Sequence, residues 1–397
     1  MKPQNLCPAS SEVGRKRFLG HRRLEKDPLL ARLLMRRFEG HDTLQLAVAS
    51  FLGAGEALLV FGGWGALADC GAVASYCPHS RRWGRFGRLS SPAFGAACTL
   101  PGDRALFVGC KPGSSEDVQD MLDVLTGRWD PLPPLRWARR ACAVACVGSC
   151  AFVVGGNVLE FESLRSRLQR ALNRWGEGED LSAEESALVQ AQFERPGMRS
   201  VACANEIDLL DMSQPDLAWE SLIAPPAVAL AEFPAAASLG GKLVVAGGQV
   251  QGSANAECWA YDPSTDAWEE FPPLPTPRCR AGFCVHPRLG LVLAGGLDAA
   301  GEPLASAVAI GAGDGAWRQL ADLGAPRSGD ALALLRGAPV LLGGEGGAER
   351  GERYLEAEDR WEALPELGCR LECCCVLSVT AGRADASEGA RGRGESR

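Results

Sequence analysis

Four histidines and three tyrosines are the first residues to test for catalysis or metal binding. A metal centre needs ligands that the chain can bring to one point. His21 and His41 stand near the N-terminus, His79 and His286 are far apart, and no pair has ligand spacing. Sixteen cysteines are present, none in paired Cys-x-x-Cys spacing. No serine or cysteine sits in a nucleophile elbow, and no double glycine runs into the Lys-Ser/Thr of a phosphate loop. We expect no cofactor, no metal and no enzyme. Cys279 lies between Arg278 and Arg280, where a thiolate would be stabilised. The plainer reading is that most cysteines are small buried hydrophobes.

Arginine is the more promising residue type. Arg139, Arg140, Arg278, Arg280, Arg327 and Arg370 all stand just ahead of short apolar runs. Guanidinium groups that converge can hold carboxylates through paired hydrogen bonds. Whether these converge depends on the elements that carry them.

Those elements repeat. An apolar run ending in two glycines closes at Gly62-Gly63, Gly155-Gly156, Gly247-Gly248, Gly295-Gly296 and Gly343-Gly344, with a degenerate copy at Gly109-Cys110. A tryptophan follows each: Trp83, Trp129, Trp219, Trp268, Trp317 and Trp361. The third interval is nearly double, so that repeat carries an insertion. Trp219 is chosen there over Trp175, because ANEIDLLDMSQPDLAW matches AECWAYDPSTDAW, whereas the residues before Trp175 read as helix. Four short strands in about 45 to 50 residues make one propeller blade. Glycines permit close backbone approach at the end of the second strand. The tryptophan offers a large area to wedge between sheets.

The fourth repeat is nearly complete: Gly247-Gly248, Tyr261-Asp262, Trp268, then Pro277-Arg278. With these marks the sequence resembles the kelch-repeat family, over about residues 43 to 380. The resemblance implies an all-β, six-bladed kelch-type β-propeller, here with a helical insertion in the third blade, and a protein-interaction role. Tyr76 and Tyr354 fall near the place of Tyr261 in the third strand. Either residues 44–51 or residues 371–379 supply the innermost strand that completes the first blade. The pattern leaves both open.

Residues 157–200 form the insertion. Phe161, Leu164, Leu168 and Leu172 have helical spacing, and Ser182 with Glu185 makes a capping box for a second helix. Residues 1–42 form a basic extension with one short helix from Asp27-Pro28, and 381–397 should be disordered. In an up-and-down blade the inter-blade segment and the loop after the second strand open on one face. The six arginines should therefore ring the channel mouth, with the insertion beside them. A structural role within the repeat competes with this at every position, and Ala93 and Ala231 make the ring lopsided.

A net charge of −8 gives no whole-chain case for nucleic acid. No run of about 18 apolar residues exists, so no membrane helix is expected. Unpaired thiols fit a reducing, cytoplasmic setting. The expected partner is a protein or acidic peptide, with no nucleic acid and no membrane, and the oligomeric state is undetermined. Ubiquitin-ligase adaptor and scaffold roles both fit. The alternative is an enzyme or small-ligand-binding protein using the channel mouth.

Overall fold

The computed structural model describes residues 56–61, 64–65, 71–77, 82–91, 93–111, 117–124, 127–135, 139–158, 206–225, 228, 231–345, 351–364, 371–372 and 374–380, with Arg174 and Ser186. Among them are six antiparallel sheets of four strands. Blade 2 is Phe94–Leu100, Arg104–Cys110, Asp117–Asp123 and Arg128–Pro131. Blade 3 is Ala143–Val147, Cys150–Val154, Glu206–Asp211 and Trp219–Ile223. Blade 4 is Ala235–Leu239, Lys242–Ala246, Cys258–Asp262 and Ala267–Phe271. Blade 5 is Gly282–His286, Gly290–Ala294, Ala307–Ile310 and Arg318–Leu320. Blade 6 is Ser328–Leu335, Ala338–Glu345, Gly351–Leu355 and Arg360–Ala363.

Blade 1 settles how the ring closes. Its strands Glu56–Phe61, Ala72–Cys77 and Arg82–Arg88 are joined on the inner side by Cys375–Thr380. The C-terminal candidate is the one used, and residues 44–51 lie outside the described residues. The six inner strands touch one another in a closed circle. Closure removes the open inner edges that an incomplete ring would expose.

Burial follows the circle. Six apolar clusters each bridge two neighbouring blades, from Phe61 with Phe107 between blades 1 and 2 to Val60 with Leu342 between blades 6 and 1. Each buried Val, Leu or Phe in them is worth about 1.5–3 kcal/mol relative to exposure. The inner strands are rich in Ala, Gly, Ser and Cys, as crowding toward the axis demands. Several cysteines are accounted for in this way. The thiols of Cys142 and Cys258 are pushed up to about 12, chiefly by burial.

The tryptophans are ties as well as wedges. Four indole N–H groups donate to backbone carbonyls at the end of the preceding blade. Trp219 reaches Pro133 at 2.9 Å, Trp268 Ile223 at 3.0 Å, Trp317 Pro272 at 2.7 Å and Trp361 Ala321 at 2.9 Å. Trp219 opens the fourth strand of blade 3, as its repeat position requires. Tyr261 and Tyr354 stand opposite Trp268 and Trp361 and donate to Asp266 and Asp359, each at 2.7 Å.

The insertion occupies its expected place, because Cys150–Val154 pairs directly with Glu206–Asp211. Its first two residues are strand, paired with Arg139–Arg140. Apart from the single residues Arg174 and Ser186, both helices expected in it lie outside the described residues. So do the 1–42 extension and the 381–397 tail.

Candidate functional site: the face of the inter-blade segments

Each inter-blade segment runs beside the backbone that follows a double glycine. Arg140 pairs with Asn157, Glu232 with Gln249, and Cys279 with Leu297. The second glycine of a blade then donates to the next segment: Gly156 to Ala231 O at 2.8 Å, Gly248 to Arg278 O at 2.9 Å, Gly296 to Arg327 O at 2.9 Å. A Cβ on Gly155 would sit 2.2 Å from Ala231 O. The double glycine is thus a joint between blades, and only a residue without a side chain fits there.

Three of the six sequence-selected arginines turn inward. Arg139 and Arg278 are 1% exposed and Arg327 is 3% exposed, so their guanidinium groups are out of reach of a surface partner. Arg139 donates to Gly155 O and Glu206 O and pairs with Asp208 at 2.9 Å. Arg278 donates to Gly295 O, Ser306 O and Ser306 Oγ. Arg327 donates to Gly343 O and pairs with buried Glu352. In each case the first glycine of the same blade is bound, so these side chains brace the blade at its joint.

The other three differ. Arg140 is exposed. Arg370 lies outside the described residues. The pairing of Leu371 with Gly65 puts Leu371 at the place Arg139 takes against Val158. Arg280 is half-buried, with its guanidinium 4.3 Å from the Phe233 ring centre. Its Nε has no hydrogen-bond partner among the described residues. The structure therefore separates three bracing arginines from Arg280 and Arg140, which remain toward the face.

Sequence reasoning missed the device that places Arg280. Ala141, Phe233 and Arg280 have φ of 56°, 53° and 54°, and Gly329 in the same role has 67°. Phe233 N–H donates to Ala141 O at 2.6 Å, Arg280 N–H to Phe233 O at 3.3 Å, and Gly329 N–H to Arg280 O at 2.9 Å. These bonds run from blade to blade across blades 3 to 6 around the mouth. A left-handed backbone costs roughly 1–2 kcal/mol at a residue with a side chain. Strain kept at three non-glycine positions holds Phe233 and Arg280 in fixed places.

Residues 233–275 match the Kelch motif. That stretch spans blade 4, whose joint, tyrosine tie and tryptophan tie have just been described. The chain is a six-bladed propeller with a Kelch motif at its fourth blade. No curated protein matches it. In this propeller Cys279 is no ready thiolate: burial pushes its thiol up, Arg280 opposes this and Glu232 adds to it. His286 lies away from the mouth. Its Nδ1 accepts from Arg288 and Leu289 N–H, so the proton is on Nε2, 3.0 Å from Gly337 O. Among the described residues no group of three or more His, Cys, Asp and Glu could hold a metal, and no helix is long and apolar enough to cross a membrane.

Proposed function

We propose that this propeller is a protein-binding module whose partner presents a carboxylate to Arg280. The observation that carries the reading is the contrast among the arginines. Those at 139, 278 and 327 are buried and bound within their blades, while Arg280 is only half-buried and is held over Phe233. A guanidinium stacked on an aromatic ring keeps its edge open for a carboxylate. Arg140 on the neighbouring segment adds positive charge to the face. An acidic peptide fits this arrangement.

Within this reading the protein is a recognition or scaffold subunit, of the kind ubiquitin-ligase adaptors use, working in the cytoplasm. Ten described cysteines are free, which supports a reducing compartment. The test is affinity capture with the full chain and with Arg280→Ala/Arg140→Ala, using Arg288→Ala in a turn away from this face as control. Partners lost from the double variant and kept by the control support the face. Full retention of every partner by the double variant sinks it.

A further inference from the structure

The insertion of blade 3 is rooted at one residue of the binding face. Val158, which ends its opening strand, pairs with Arg139. The Arg139 guanidinium also donates to the carbonyl of Glu206, where the third strand of the blade begins, at 3.0 Å. Both ends of the insertion are therefore held beside Arg140, whose backbone pairs with Asn157. Arg280 stands two hydrogen-bonded steps farther round the mouth, from Ala141 through Phe233. At about 5–6 Å for each step, that is roughly 10 Å from Ala141.

The sequence of the insertion carries the complementary charge. Glu177, Glu179, Asp180, Glu184, Glu185 and Glu194 stand between Arg174 and Arg195 with no base among them, and the first five fall within nine residues. Those nine lie outside the described residues. Glu177 is nineteen residues beyond Val158, and Glu185 is twenty-one short of Glu206. Even at the helical rise of about 1.5 Å per residue, each arm spans roughly 28 Å or more. The acids can thus reach Arg280 from their root with chain to spare. A segment tethered this way acts at an effective concentration on the order of a millimolar.

We propose that residues 177–185 occupy the Arg280 site of their own chain, with carboxylates on Arg280 and Arg140, and that a partner binds by displacing them. This rests on the reading of Arg280 as a carboxylate site. The guanidinium of Arg280 is half-buried over Phe233 and Arg140 is exposed, so the two present positive charge on the face from which the insertion rises. If the segment binds with a dissociation constant of about 0.1 mM, an outside peptide of the same sequence binds about tenfold more weakly than to an empty site. A partner with one acid competes poorly against it. A partner with several closely spaced acids matches it, and that is the class of peptide the site selects.

The probe is a fluorescent peptide with the sequence of residues 175–187, titrated with the full chain and read by anisotropy. The chain carrying Glu177→Gln, Glu179→Gln, Asp180→Asn, Glu184→Gln and Glu185→Gln together is expected to bind it about tenfold tighter than the unaltered chain does. Adding Arg280→Ala should remove that gain. Equal binding by the unaltered and neutralised chains overturns the proposal, and so does a gain that survives Arg280→Ala. A second measurement leaves the segment unaltered: a glutamate-specific protease should cut it several-fold faster in Arg280→Ala than in the unaltered chain, and equal rates overturn the contact. An unaltered chain that sediments as a dimer and gains peptide affinity on dilution assigns the acids to a second copy, which also overturns it. Partner capture separates this inference from the wider reading. Capture that needs Arg280 and is unchanged by neutralising the segment removes the contact alone, whereas capture indifferent to Arg280 removes both.

Discussion

Arginines of identical type, placed alike in the repeat, do different work here. Replacing Arg327 by alanine leaves Glu352 buried without its cation, and breaking a buried pair costs about 3–5 kcal/mol. Arg280→Ala gives up a stacking contact worth about 0.5–1 kcal/mol. Denaturant unfolding should show a large loss for the first and a small one for the second. Partner capture should fall for the second. Sequence supplied the positions of these residues and not their reach. The recurrence of Arg139 and Arg327 at one distance before a double glycine was the legible sign of a bracing role, with Asp208 and Glu352 as the confirming acids. Phe233 gave no sign, because nothing in its type marks a left-handed backbone. Acid sensitivity also belongs to single residues. Asp211 is held from an ordinary 3.8 down to about 2, first by the N–H of Ser213, then by its hydroxyl and by Gln214. A carboxyl lowered on folding stabilises above its unfolded value and loses that contribution as pH falls through the folded one. The melting temperature should thus drop between about pH 4 and pH 2, and Asp211→Asn should flatten that drop.

At the level of elements, the strands and their order were legible because glycine pairs and tryptophans recur with the blade. The joint explains why those glycines resist change. Gly155→Ala drives a methyl group into Ala231 O and imposes φ of 63° on a residue with a side chain. Gly252 has φ of 87° with open space around it. Both alanine variants carry the left-handed strain of roughly 1–2 kcal/mol, and only the first adds a clash. Thermal melts should rank Gly155→Ala well below Gly252→Ala, and equal melting temperatures would refute the joint. The choice between the two candidate closing strands was not legible, since both are short apolar runs and only pairing with Glu56–Phe61 distinguishes them.

For the whole molecule, the closing strand is the decisive element. Removing residues 371–380 leaves blade 1 without its inner strand and frees the edge of Glu56–Phe61. The truncated chain should melt at lower temperature, bind a hydrophobic dye and aggregate. The same strand sets a timetable for synthesis. Cys375 Sγ lies 3.7 Å from Phe61 O, across a sequence separation of 314 residues. Ribosomes add about 5–20 residues per second, so blade 1 waits on the order of 15–60 s for its inner strand. During that interval a newly made apolar strand has an unpaired edge, open to any extended chain nearby. The ring is therefore a fold whose first blade is completed last, and its yield in the cell depends on what shelters that edge in the meantime.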